Sequence, residues 1–220
     1  MTRNSHLMAD LRFRLERILA EGLADEPEAH ARQVAAIAGV LHAAFSAHGF
    51  TVTLVGGSAI EIHAPGIYMS GDLDLVIEKR RDARGESGHI FESLGLERLG
   101  RHWRKGSLFV ETVPGPVAGP VEDVEVEGAV FRVVRKEVPL RDRVVGFKHW
   151  RHTAYGDQAI AMLVAFGEEL DMDWLEQELR REDAMDALHA LRALATADTL
   201  VTHERLLALQ TDLHHRRTES

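Results

Sequence analysis

Val55-Gly56-Gly57-Ser58, with Asp72-Leu73-Asp74-Leu75 fourteen residues further on, is the stretch from which the rest of the chain is read. An apolar run with interspersed threonines, Phe50 to Val55, precedes the glycine pair and reads as a strand. Two glycines at a strand end let backbone amides approach a ligand closely, and Ser58 adds a hydroxyl. Residues 58–63 then read as a short helix whose N-terminal amides and dipole favour phosphate. In the second half, acid and apolar residues alternate, so on a strand Asp72 and Asp74 point to one side. They stand about 7 Å apart along it, which suits the sharing of divalent metal ions. A glycine turn for phosphate and paired carboxylates for metal together describe a nucleoside triphosphate site.

Outward from this stretch, the pattern is helical on both sides of a small sheet. Leu7, Leu11, Phe13, Leu15, Ile18 and Leu19 give helical spacing among charges over residues 5–21. A second helix opens near Pro27, carries Val34, Ile37 and Leu41 on one stripe, and stops near Gly49. Beyond the Asp-x-Asp strand, Ile90 to Leu96 suggests a helix behind the sheet. Leu108 to Val113 is a third strand, and it runs into a proline-rich loop, Pro114 to Pro120, that cannot be helical. Residues 121–134 alternate around Glu127-Gly128, a hairpin signal. From Pro139 the chain reads as five helices, over roughly 140–151, 156–168, 172–181, 183–195 and 199–215. The expected fold is α+β (mixed α/β): a small mixed sheet with flanking helices and a C-terminal helical region. The expected divisions are N-terminal helices at 1–49, a core at 50–138 and the helical region at 139–220.

Composition narrows the function. At 220 residues, 45% hydrophobic and 28% charged, the chain has the profile of an ordinary soluble globular protein. Its longest apolar run, Ala159 to Phe166, is too short to cross a bilayer, and the N-terminus has no apolar leader core, so the cytoplasm is the expected location. Zero cysteines exclude disulfides and thiolate metal sites. A net charge of -9 argues against wholesale coating of nucleic acid, although Arg101, Arg104 and Lys105, and Arg141, Arg143, Lys148 and Arg151, form local basic clusters. No P-loop or dinucleotide-binding glycine motif is present. None of the 13 histidines falls in a recognised zinc spacing.

Nucleotidyl transfer needs backbone amides and metal to hold a triphosphate in line, with carboxylates holding the metal. Asp72 and Asp74 are the obvious pair. Glu111 is the favoured third ligand, because a lone acid in mid-strand among apolar neighbours is costly without a partner. Glu122, Asp123 and Glu125 are competitors for that place. If one helix spans 140–151, Arg141, Lys148 and Arg151 can share a face, and a cation there could meet the triphosphate.

The paired motif resembles the signature of the DNA polymerase β-type nucleotidyltransferase superfamily. More narrowly, Gly56-Gly57-Ser58-Ala59-Ile60-Glu61 and Tyr68-Met69-Ser70-Gly71-Asp72-Leu73-Asp74 resemble small bacterial AbiEii-like nucleotidyltransferases, found in toxin–antitoxin and phage-defence systems. The likeness is close over about 50–113 and looser through Lys148 to Asp157, where a lysine-bearing helix and an acidic position match by order. The chain is shorter than the larger proteins of that type and offers Glu rather than Asp as third carboxylate. The resemblance implies transfer of an NMP from an NTP to an acceptor hydroxyl, with Mg²⁺ or Mn²⁺ as cofactor. Gly56, Gly57, Ser58 and Lys148 would bind the nucleotide, and Asp72, Asp74 and Glu111 the metal. The acceptor would be tRNA or other RNA, or a cognate protein. The rival expectation is a degenerate module that binds nucleotide or a partner without turnover.

Overall fold

The computed structural model describes residues 3–20, 22–81, 83, 85–196 and 201–218. It shows a mixed α+β protein whose chain divides into two compact units, Met1–Arg135 and Lys136–Ser220.

The first unit opens with two helices, α1 (Arg3–Leu19) and α2 (Pro27–Ser46). Pro27 sits at the first turn of α2, where its missing N–H costs nothing. The Glu26 carboxylate caps the helix by accepting the amides of Glu28 and Ala29. Among the described residues, seven strands follow with two short helices between them: β1 (Phe50–Leu54), α3 (Gly56–His63), β2 (Leu73–Lys79), α4 (Ser87–Ser93), β3 (Glu97–Leu99), β4 (His102–Lys105), β5 (Leu108–Val113), β6 (Val121–Val126) and β7 (Ala129–Val134). They form one sheet in the order β3-β4-β5-β2-β1-β7-β6. β1 runs antiparallel to β2 and parallel to β7, while β5 runs parallel to β2. The hairpin expected at Glu127-Gly128 joins β6 to β7, and both turn residues take positive φ.

Alternation along the central strands separates a buried face from a polar one. Leu73, Leu75, Leu108 and Val110 are buried, as is Trp103 of β4. Trp103 stacks on Phe91 of α4 with ring centroids 4.8 Å apart, and Phe91 meets Phe45 of α2 edge-on at 4.9 Å. α2 presses against the sheet at Gly39, where a Cβ would come within 2.9 Å of the Ala129 Cβ. Asp74, Glu111 and His102 stand one residue out of step with these apolar positions and so project from the opposite face.

The β3–β4 hairpin carries the basic cluster Arg101, Arg104 and Lys105, of which Arg101 and Arg104 are exposed and Lys105 is half-buried. Lys105 Nζ donates to Glu16 Oε1 and to the Leu94 carbonyl, both at 3.1 Å, and Arg104 Nε donates to the Gly106 carbonyl at 3.1 Å. Strands of three and four residues are too short to produce a readable alternation.

The second unit holds α5 (Glu137–His149), α6 (Thr153–Phe166), a 3₁₀ turn at Gly167–Glu169, α7 (Met172–Arg181), α8 (Met185–Thr196) and α9 (His203–Thr218). Residues 199 and 200 of the last expected helix lie outside the described residues. Leu140, Val144, Phe147, Met162, Leu175 and Leu191 are fully enclosed. At Gly156 a Cβ would stand 2.7 Å from the Phe147 ring, so glycine permits the close approach of α5 and α6.

Candidate functional site

β1 ends at Leu54, and the chain turns through Gly56 at φ +60° into α3. A residue with a Cβ would be strained at that angle. Its Cβ would also overlap Asp74 Oδ2, so glycine is required twice over. At Gly57 a Cβ would lie 2.5 Å from Tyr68 Cε1 and 3.1 Å from Ser70 Oγ. The glycine pair therefore lets the β1–α3 turn lie directly against Asp74 on one side and the Tyr68–Ser70 segment on the other.

Hydrogen bonds lock this turn to β2. The Gly57 amide donates to Asp74 Oδ2 at 3.2 Å, and the Val55 amide donates to the Asp74 carbonyl at 3.0 Å. Ser58 is fully buried; its hydroxyl donates to the Asp72 carbonyl at 2.9 Å and accepts from the Asp74 amide at 3.2 Å. The expectation that this hydroxyl faces a phosphate is corrected here. It spans the backbone on both sides of Leu73, because a buried hydroxyl must find partners and the start of β2 supplies them.

Asp74 pairs in register with Glu111 on the neighbouring parallel strand, and Glu111 pairs in turn with His102 on β4. The three side chains form a row across three strands, with Asp72 at the entrance to β2. His102 Nε2 stands 3.5 Å from Asp72 Oδ2 and 3.5 Å from Glu111 Oε2. One ligand atom each from Asp72, His102 and Glu111 lies within 4.8 Å of the others. Arg101 Nε approaches the other oxygen, Glu111 Oε1, at 3.2 Å. All three members of the cluster are half-buried, which leaves them accessible to an ion.

Of the expected metal ligands, Asp72 and Glu111 thus converge, and Asp74 lies beside them with Oδ2 turned to the Gly57 amide. The competing acids sit elsewhere. Glu122, Asp123 and Glu125 lie on β6, the opposite edge strand, and Asp123 is held by Arg132 through two hydrogen bonds of 2.8 and 3.1 Å. The Arg132 guanidinium holds the Asp123 carboxyl below its ordinary range.

Lys148 lies on α5 in the helical unit, and its Nζ is nearly enclosed there. It donates to Asp186 Oδ1 at 2.8 Å and to the Asp183 carbonyl, and it is 3.4 Å from Asp183 Oδ2. Asp157 falls inside α6, four residues beyond its start at Thr153, so it does not cap that helix.

Sequence reasoning missed His102. Its only signal was the Trp103 beside it, an aromatic whose burial sends its neighbour to the opposite face of any strand. It also missed the buried support beneath the site. Glu61 of α3 is 3.2 Å from His30 Nε2 of α2, and the His30 Nδ1 lies 2.7 Å from the Ala24 carbonyl. Glu61 Oε2 accepts the Ser70 amide at 3.4 Å, which tethers the segment over Gly57. Burial pushes the Glu61 carboxyl above its ordinary value, while His30 and the Ser70 amide pull the other way.

Comparison with known proteins gives no match to a family model, to a curated protein or to a solved structure.

Proposed function

We propose that this chain transfers a nucleoside monophosphate from an NTP to an acceptor hydroxyl, with pyrophosphate leaving. The observation that carries the proposal is the union of three parts on one sheet face. A Gly-Gly turn has its second amide on Asp74, Asp72 lies two residues before Asp74, and Glu111 is in register on the adjacent parallel strand.

The cluster fits a divalent cation: two carboxylates and an imidazole converge, and Asp72, Glu111 and His102 would hold the ion with Asp74 beside it. Such an ion supplies charge neutralisation to a triphosphate and to the leaving pyrophosphate. The chain's own groups supply the rest. The β1–α3 turn presents the Gly57 amide at the N-terminus of α3, where a phosphate oxygen would compete with Asp74 Oδ2 for it. Ser58 fixes the spacing of Asp72 and Asp74 from behind. As the acceptor oxygen bonds to the α-phosphorus, the bridging P–O bond to the β-phosphate breaks and pyrophosphate departs with the electron pair. The acceptor's proton passes to the Glu111 carboxylate, which Arg101 orients through its contact with Oε1.

The acceptor class follows from the sequence resemblance, which offers tRNA or other RNA ends and a cognate toxin-like protein. Incubation with α-phosphate-labelled NTP, divalent cation and each acceptor should label one of them. Asp74→Asn should abolish the labelling, and equal labelling by wild type and variant overturns the proposal. A second reading, a nucleotide- or partner-binding module without turnover, has one observation in its favour: the Gly57 amide and Ser58 hydroxyl already have protein partners. It predicts NTP binding by calorimetry with no pyrophosphate release.

A further inference from the structure

We infer that His102 is a direct metal ligand, and that the Asp72–His102–Glu111 cluster binds a Zn²⁺-class transition ion in preference to Mg²⁺. The inference deepens the nucleotidyl-transfer reading and rests on it for the use to which the ion is put, but metal binding is measured separately.

The geometry suits an ion shared by the three side chains as well as it suits an ion pair. An imidazolium between two carboxylates closes to hydrogen-bond distance, about 2.7–2.9 Å for a charge-assisted N–H···O contact. Here Nε2 stands off from both carboxylates by the same 3.5 Å. Donors bound about 2.1 Å from a tetrahedral Zn²⁺ stand roughly 3.4 Å apart, and the two His102–carboxylate distances match that spacing, with all three donors within 4.8 Å of one another. Glu111 can present Oε2 because Arg101 holds Oε1, which is the outer support a ligating carboxylate ordinarily has. The backbone also fixes the donors: His102 and Glu111 are paired in register, and Ser58 ties down the Asp72 carbonyl.

Donor chemistry then selects the ion. Mg²⁺ takes oxygen ligands in octahedral geometry and sheds its waters reluctantly. One imidazole nitrogen with two carboxylates is instead a donor set for Zn²⁺ and its transition-metal neighbours, with positions left for substrate or water. His102 thus gives this site a ligand that three carboxylates would not, and it changes which ion the site holds.

The test is titration of the uniformly ¹⁵N-labelled full chain with Zn²⁺ and separately with Mg²⁺, following the imidazole nitrogen resonances. Zn²⁺ should shift the His102 Nε2 resonance, and His102→Gln should remove that response and weaken Zn²⁺ affinity at the site by at least about ten-fold. Mg²⁺ should bind at least about ten-fold more weakly than Zn²⁺ in the wild type. Through-bond assignment of the wild-type resonance decides the matter even if the variant does not fold. A His102 resonance unmoved by Zn²⁺, or equal affinity for the two ions, overturns the inference. A Zn²⁺-shifted His102 in a protein that transfers no nucleotide leaves the inference standing and removes the transfer reading; transfer supported by Mg²⁺ with His102 unmoved does the reverse.

Discussion

Ser58→Ala tests whether the two aspartates are positioned from behind by a buried hydroxyl. The hydroxyl makes two hydrogen bonds, to the Asp72 carbonyl at 2.9 Å and from the Asp74 amide at 3.2 Å, and the residue is fully buried. Each such bond contributes about 1 kcal/mol net, and a buried partner left unsatisfied costs about 1–3 kcal/mol. Asp72 and Asp74 are half-buried, so water recovers part of that cost. Alanine also gains a few tenths of a kcal/mol of helix propensity in α3, on the order of 0.5 kcal/mol at most. The expected net destabilisation is about 2 kcal/mol. With a urea slope of about 2 kcal/mol per molar, the unfolding midpoint followed by far-UV circular dichroism should fall by about 1 M. The same variant should weaken metal binding, because the spacing of Asp72 from Asp74 loosens. A midpoint unchanged to within about 0.2 M, or unchanged metal affinity, would refute the reasoning.

Gly56→Ala should destabilise by about 2–4 kcal/mol and abolish transfer, since φ +60° is strained for alanine and its Cβ meets Asp74 Oδ2; a variant of wild-type stability in urea contradicts this. Asp123→Asn should leave metal affinity and labelling unchanged while Glu111→Gln abolishes both, because Asp123 lies on the far edge strand and is bound to Arg132; the reverse result in the labelling assay would move the third carboxylate to β6. Glu61 has a folded-state pKa raised by burial from 4.5, so the folded state holds its proton longer than the unfolded chain. Stability therefore falls as pH rises through and above the ordinary glutamate range. Glu61→Gln should gain stability relative to wild type over that rise, and urea midpoints that change in parallel would contradict it. Lys148→Ala should cost about 1–2 kcal/mol in thermal or urea unfolding, given a nearly enclosed ammonium facing two partly exposed carboxylates, and no loss would show that the pair contributes nothing.

Much of this arrangement was legible in the sequence because its signals are local. Gly-Gly after a β-branched run, Pro27 at a helix start and Glu127-Gly128 between alternating segments each impose a backbone geometry that neighbours hardly alter. Asp72 and Asp74 were assigned to one side of a strand by period alone, and Glu111 was singled out by the cost of a lone acid among apolar residues. What escaped depends on pairing between distant segments. His102 becomes a site residue only because β4 pairs with β5 in the register that sets it opposite Glu111, and a four-residue strand carries no period from which to read this. Ser58 illustrates a different limit. Its type and position suit a phosphate contact, but burial decided otherwise, and burial of a single hydroxyl is set by how α3 lies on β2. The His30–Glu61 pair joins residues thirty-one positions apart on two helices, and nothing in the pattern of either helix marks it.

The most direct test of nucleotidyl transfer is simultaneous measurement of pyrophosphate release and acceptor labelling by the full chain with NTP and divalent cation. One pyrophosphate released per nucleotide transferred, with both signals lost in Asp74→Asn and in Glu111→Gln, is the predicted result. Pyrophosphate release and labelling that persist in both variants would contradict it.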